Sequence, residues 1–229
     1  MYSCEGTKTQ FATFDASTGT LRFWNRETVP SVGDKDPEGH NVDNVFTEID
    51  KPIDWNNPSF AFHSIASNIK VVTAVDRVSF VHAVNMFAEC RSLATLDLSN
   101  FDTSNTTSIT GMFYNCSSLT TLDLSSFDTR NVISMSYMFC GCSSLTTLGL
   151  SSFNISKVTD MSWMFFGCSK LTTANLSNFD TSNVTNMNNT LGQCPELSLD
   201  CSHWNVDKVT EHVDFNKYSP NVIPPVWKN

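Results

Sequence analysis

Apolar and polar positions recur along this chain with a fixed period of 26 residues. The phrase MFAECRSLATLDLSNFDTSNTTSITG begins at Met86, and related phrases begin at Met112, Met138 and Met164. A fifth, more divergent copy begins at Thr190. A repeat of this length is typical of a solenoid, in which each unit buries its apolar face against its neighbours. The pattern therefore predicts a repeat solenoid.

One stretch of each copy has the pattern of a short β-strand. In the second copy Leu119, Leu122 and Leu124 form an apolar spine, with Leu122 and Leu124 on one face. The polar residues between the leucines are expected to face outward. The segment Asp128-Thr-Arg-Asn131 follows, and its side chains are of types that form turns by bonding nearby backbone groups.

A second stretch has helical spacing. Ser134 occupies a position that suits a helix N-cap, and Ser108, Asp160 and Asn186 hold the same position in the other copies. Apolar residues follow at i, i+3, i+4 and i+7, namely Met135, Met138, Phe139 and Cys142. This stripe predicts a helix of about two turns.

Each coil is thus expected to contain one strand, one turn and one short helix. Strands must then stack on strands and helices on helices, which gives a parallel sheet with helices on the other side. The predicted fold class is an α/β, leucine-rich-repeat-like solenoid with an N-terminal β-rich cap.

The pattern also predicts the ends of the solenoid. Residues 1–58 should form the cap: they contain a hairpin pattern around Gly19, and Trp24 and Trp55 are expected to be packing residues. We predict a degenerate lead-in coil at 59–85, five repeat copies at 86–215 and a proline-rich cover at 216–229. In the fifth copy, an alignment with one deletion puts Trp204 in the position of Phe179.

Composition narrows the class of partner. The net charge of −9 argues against nucleic acid and against an anionic membrane. No apolar run reaches the roughly 20 residues of a membrane span, and the start lacks the pattern of a signal peptide. Taken literally this predicts a soluble cytosolic protein; the alternative is a mature fragment whose export signal and anchor have been removed.

Five of the 8 cysteines recur with the repeat: Cys90, Cys116, Cys142, Cys168 and Cys194. Zinc sites use paired ligands such as C-x-x-C, and this spacing is absent here. A small buried thiol on the apolar stripe is the favoured interpretation, so these thiols are expected to be reduced and inaccessible. Cys4 and Cys140 are less constrained, and either could pair or remain free.

Catalytic and cofactor motifs are missing from the chain. The five histidines have no repeated serine or cysteine partner, and no P-loop, dinucleotide fingerprint or G-x-S-x-G is present. We therefore predict a protein that is not an enzyme and has no cofactor or metal.

Several phrases carry a family resemblance. LDLSSFDT, SNVTNM, MSYMF and GCSSL resemble the repeat of about 26 residues found in the BspA-like family of bacterial surface proteins. The resemblance is strong over residues 86–210, and residues 10–85 resemble the usual lead-in of that family. It implies an extracellular, cell-associated protein that adheres to host or matrix proteins or to other cells, without a common catalytic centre.

The outward strand positions remain as candidates for binding. They are polar and recur from copy to copy: Thr95, Asp97, Thr121, Asp123, Thr147, Thr173 and Asn175. They suit a broad protein or glycan partner at the cell surface. Three alternatives stay open: a solvated sheet face held by cross-strand contacts, a structural spacer without a ligand, and an ice-binding threonine array.

Overall fold

A computed structural model describes residues 8–47 and 62–228. Its strands are short and are joined by turns. In chain order they are β1 (Thr9–Asp15), β2 (Thr20–Arg26), β3 (Asn44–Phe46), β4 (Val71–Ala74), β5 (Val78–Ser79), β6 (Thr95–Asp97), β7 (Phe101–Asp102), β8 (Thr147–Gly149), β9 (Thr173–Asn175), β10 (Leu199–Asp200) and β11 (Val222–Ile223). The only helix in these ranges is a 3₁₀ segment, His63–Asn68.

The N-terminal region contains the predicted hairpin and continues the solenoid sheet. β1 and β2 pair antiparallel around Gly19, which has φ 72° and where a Cβ would lie 2.7 Å from the Asn68 carbonyl oxygen. β2 then pairs parallel with β4, and β4 with β6, giving the order β3-β1-β2-β4-β6. The hairpin therefore supplies the first rung of the stack. Trp24 is fully buried, whereas Trp55 lies outside the described residues.

Between residues 82 and 211, six coils follow one another in register. Single parallel bridges join equivalent residues of consecutive coils: His82, Ser108, Ser134, Asp160, Asn186 and Glu211. Each bridge links neighbours one repeat apart, so the coils stack without a crossover. The fold is a β-solenoid with parallel strands.

The prediction of a short helix in each coil is wrong. In the coil that contains Met135, the chain makes successive turns instead: the Met138 N–H donates to the Met135 carbonyl at 3.3 Å. Tyr137 has φ 58° and Gly141 φ 75°, the positive values that the third residue of a type II turn requires. Such residues cannot continue a right-handed helix. The α/β label is therefore replaced by an all-β solenoid.

Backbone hydrogen bonds explain why turns replace the helix. Every second N–H of this stretch points along the solenoid axis: Tyr137 donates to Ser162 at 2.9 Å, and Phe139 to Met164 at 2.9 Å. In a helix these groups would bond four residues back along the same chain segment. Ser134 is likewise not an N-cap, because it forms a bridge to the neighbouring coils.

The prediction that the apolar stripe of each copy lies in the core is nevertheless confirmed. Met138, Phe139 and Cys142 are at most 1% exposed. Phenylalanines of successive coils stack along the axis at ring-centroid distances of 5.8, 5.9 and 5.6 Å in the series Phe87, Phe113, Phe139 and Phe165. The core is thus a continuous column rather than a set of separate clusters.

The sheet on the opposite side is discontinuous. β8 pairs with β9 and β10 with β11, but residues 121–123 form no strand, although the second copy was predicted to contain one. The Thr146 N–H still donates to the Thr120 carbonyl at 3.2 Å. The ladder is therefore reduced to isolated contacts between the first and third copies.

The C-terminal residues pack on the last coil. Trp227 stacks on His212 with ring centroids 4.2 Å apart and meets Phe215 edge-on at 5.1 Å. Trp204 stacks on Phe179 at 6.3 Å, as the alignment of the fifth copy predicted. Within the described ranges, no helix is long and apolar enough to cross a membrane.

Candidate functional site

The seven candidate binding residues are all exposed, but the structure does not bring them into one array. Thr147 pairs with Thr173 across β8 and β9, and Asn175 pairs with Gly149. Thr95 and Asp97 lie in β6, beside β4 at the N-terminal end of the solenoid. Thr121 and Asp123 fall in the gap between these two ladders. The predicted row is therefore two short polar patches separated by irregular backbone.

The acidic and amide candidates hold the turn that follows residues 95–97, 121–123 and 173–175. An Asp97 carboxylate oxygen accepts the Ser99 N–H at 3.0 Å, and Asp123 accepts the Ser125 N–H at 2.9 Å. Asn175 accepts the Ser177 hydroxyl at 2.9 Å in the same position. These are turns closed by an Asp or Asn side chain, which bonds the backbone two residues on.

These hydrogen bonds also favour the ionised form of the Asp97 and Asp123 carboxyl groups. The backbone N–H of Ser99 lowers the pKa of Asp97, and that of Ser125 lowers the pKa of Asp123, because both donate to the charged form. Carboxylates of this kind stay ionised near neutral pH and are poor general bases. Their oxygens have two lone pairs each and can accept further hydrogen bonds from a ligand.

A second row of such turns lies one corner further along each coil. The side chain of the first residue again accepts the N–H of the residue two positions later, at Asp102, Asp128, Asn154, Asp180 and Asn205. Buried threonines next to them tie the coils together: Thr129 Oγ1 donates to the Asn154 carbonyl at 3.0 Å. The sequence had indicated the turn but not the link between coils.

A groove opens at this corner between the first copies. It has a volume of about 450 Å³. We call it the corner groove; its lining residues are Arg77, Ser99, Asn100, Phe101, Asp102, Thr103, Ser104, Ser126, Asp128 and Arg130. Sequence reasoning missed this site, although one signal was present, since Arg130 stands where Ser104, Ser156 and Ser182 stand in the other copies.

The repeated cysteines form a ladder of thiol hydrogen bonds. Four of the five thiols, from Cys116 to Cys194, donate to a phenylalanine carbonyl of the preceding coil, as Cys142 does to Phe113 at 3.2 Å and Cys168 to Phe139 at 3.1 Å. Burial raises the pKa of Cys142 to about 12, so this thiol remains protonated and unreactive at neutral pH. The prediction that the ladder thiols are buried is confirmed.

The remaining cysteines show no pairing in the described residues. Cys140 and Cys201 are free and buried, and Cys4 lies outside those residues. Residues 8–47 and 62–228 contain no group of three or more His, Cys, Asp or Glu side chains that could hold a metal ion.

Comparison with known proteins gives one family. The family described as "Mycoplasma protein of unknown function, DUF285" matches residues 57–148 and 141–219. The two matches together span the solenoid and cover more than half of the chain. No curated protein and no solved structure matches the chain significantly.

Proposed function

We propose that this chain, which belongs to the DUF285 family, is a non-enzymatic binding module of adhesin type. It acts in a secreted or surface-displayed form and recognises a protein or a glycan through the solenoid surface. The resemblance to the BspA-like repeat supports this placement outside the cell, because that family is used for adhesion. The description of the DUF285 family leaves the function open.

One observation carries the proposal: the outward polar positions of the third and fourth copies stand in register. Thr147 and Thr173 are direct partners in the parallel ladder, and both side chains are exposed. Solenoids recognise partners through extended surfaces of this kind, in which each coil adds a small and similar contact. A surface of hydroxyl and amide groups suits a broad polar partner.

A structural spacer is the second candidate, and a different observation favours it. Asp97, Asp123 and Asn175 already bond the backbone of their own turns. Their types are therefore explained by folding alone. A spacer would hold another domain away from the cell and would bind nothing itself.

An array of glycans and extracellular-matrix proteins, probed with the purified chain, distinguishes the two candidates. The strand-face variant is Thr147→Val with Thr173→Val, which keeps the side-chain shape and strand propensity but removes both hydroxyls. Its control is Thr159→Val with Thr185→Val, a pair of exposed threonines in the same copies that lies away from β8 and β9.

The proposal predicts that the native chain binds a defined subset of the array. The strand-face variant should bind that subset at least about tenfold more weakly, and the control variant should bind it normally. Equal binding by both variants would move the site away from this face. A native chain that binds no component of the array is the result expected of a spacer, and it would contradict the proposal.

A further inference from the structure

The corner groove is built by three successive coils. Arg77 comes from the coil before the first copy, the segment from Ser99 to Ser104 from the first copy, and Arg130 from the second. β5 and β7 pair in parallel beneath it, with Val78 opposite Phe101. Phe101 is buried, so this part of the groove is formed by a residue that is packed in the core.

The repeats provide an internal comparison for this groove. Because Val78 pairs with Phe101, Arg77 stands opposite Asn100, and the next copy has Ser126 there. Arg130 occupies a position that is serine in three other copies. The chain has five arginines, and three of them stand where other copies have small polar residues. Two of these three, Arg77 and Arg130, line the same groove, whereas Arg91, which stands where the next three copies have serine, lies outside it.

Each arginine is held by an aspartate of the groove. The Arg130 guanidinium donates to Asp128 through Nε at 3.0 Å and Nη2 at 2.6 Å, and Arg77 Nη2 donates to Asp102 at 2.9 Å. A guanidinium carries five N–H donors, so both groups keep donors that the aspartates do not take up. The Arg77 and Arg130 side chains are 77% and 71% exposed, which leaves those donors accessible to a ligand.

The other lining groups define what such a ligand must contain. Unbonded guanidinium donors match the geometry of a carboxylate. Asp102 and Asp128 would repel a bare anion, but their oxygens are strong acceptors for hydroxyl groups. The hydroxyl oxygens of Ser99, Ser104 and Ser126 add further neutral acceptors around the rim. The complementary molecule therefore carries one carboxylate together with several hydroxyls.

We propose that the corner groove binds a carboxylate-bearing sugar unit, such as a hexuronic acid residue of a glycan. The arginines hold the sugar carboxylate, and the aspartates and serines hold its hydroxyls. The volume of about 450 Å³ accommodates one such ring with its substituents. This inference deepens the proposed function and rests on it, because it names a ligand class for the binding module.

Ligand-observed NMR titration of the full chain tests the inference with three small probes. Glucuronate carries both the carboxylate and the hydroxyls, glucose carries hydroxyls alone, and acetate carries the carboxylate alone. Glucuronate should bind with a Kd on the order of 1 mM, and the two partial probes at least about tenfold more weakly. Acetate binding as tight as glucuronate binding would show a general anion site and overturn the sugar assignment.

Two variants locate the binding. Arg130→Ser introduces the serine that three other copies have at this position, so the variant should fold. The variant should lose glucuronate binding. Arg91→Ser is the matched control, because Arg91 is an exposed arginine paired with Glu89 at 2.7 Å and is not among the groove residues. If Arg91→Ser weakens binding as much as Arg130→Ser, or if native protein does not bind glucuronate, the inference is wrong.

The two proposals can fail separately. A native chain that binds matrix proteins on the array but not glucuronate would retain the adhesive function and eliminate the groove as a sugar site. Failure in both experiments would remove the binding function itself and favour the spacer.

Discussion

The two sides of the solenoid are held together in different ways. On the turn side, which consists of residues 82–90 and their equivalents in later coils, parallel bridges run without a break through six coils. On the strand side, which consists of residues 95–97 and their equivalents, the ladder stops at 121–123 and resumes at β8. The turn side therefore determines the stacking of the coils, and the strand side is the part that can vary its outward residues.

The buried column of phenylalanines accounts for most of the expected difference in stability between the two sides. Phe139 is fully buried and stacks between Phe113 and Phe165, whereas Leu122 on the strand side is only partly buried. Phe139→Ala should lower the free energy of unfolding by about 3–5 kcal/mol, because it leaves a cavity in the column. Leu122→Ala should cost about 1 kcal/mol. Denaturant titration measures both, and equal costs would contradict the assignment of stability to the turn side.

The glycines of the two sides should respond in opposite ways. Gly141 has φ 75°, and a Cβ there would lie 2.0 Å from Asn115 Oδ1. Gly141→Ala should therefore destabilise the protein by about 2 kcal/mol or more. Gly149 on the strand side has no atom within 4 Å of the added Cβ, so Gly149→Ala should be neutral or slightly stabilising. Thermal melting of the two variants tests the pair; a similar loss in both would remove the contrast.

The thiol ladder makes the turn side sensitive to alkaline pH. Burial raises the pKa of Cys142 from 9.0 to about 12, so the unfolded chain loses this proton first as the pH rises. The stabilisation that the buried thiol contributes is fully present below pH 9. Between pH 9 and about 12 the free energy of unfolding should fall by about 1.4 kcal/mol per pH unit for each such thiol.

Cys142→Ser provides the control for that slope. Serine can still donate to the Phe113 carbonyl but does not titrate in this range. Its denaturation midpoint should fall less steeply with pH than that of the native chain. Identical slopes would show that Cys142 is not protected by the fold.

The smallest effect is expected on the strand side at low pH. Asp123 closes its turn through the Ser125 N–H, which lowers the pKa of its carboxyl below 3.8. The stability it contributes is present above that pH and is lost as the pH falls through the lowered value. Asp123→Asn should behave like the native chain at neutral pH, since Asn175 closes the same turn. A loss larger than that of Gly141→Ala, measured by thermal melting, would contradict this ranking.

The sequence predicted the repeat, the inward residues and the exposed threonines, but not the local geometry of the turn side. Spacing of i, i+3, i+4 and i+7 places Met135, Met138, Phe139 and Cys142 on one face of a helix, and two successive type II turns place them inward equally well. Spacing alone cannot separate the two.

The distinguishing signal lay in one repeat position. Four of its residues are of types that adopt positive φ easily: Asn85, Gly111, Asn189 and Asp214. Tyr137 and Trp163 hide the signal, because bulky residues rarely adopt this conformation. They stack on each other with ring centroids 5.8 Å apart, a contact that helps to offset the strain.

The strand side was unpredictable for another reason. Residues 95–97 and 121–123 have the same sequence, Thr-Leu-Asp, yet only the first forms a strand. β6 has β4 as a partner, and 121–123 has no equivalent pairing. Strand formation here depends on the neighbouring coil rather than on the local residues. The corner groove was missed similarly, since it becomes visible only when three coils are stacked.

Hydrogen exchange, resolved to single amides by NMR, tests the unequal roles of the two sides most directly. The Tyr137, Phe139 and Gly141 amides donate to carbonyls of the next coil, whereas those of residues 121–123 donate to no backbone group within the described ranges. Exchange at the three turn-side amides should require opening of the solenoid and should therefore be slow. Exchange at the amides of residues 121–123 should be faster, because it needs no such opening. Equal protection of the two sets, or slower exchange at 121–123, would contradict a solenoid held by its turn side.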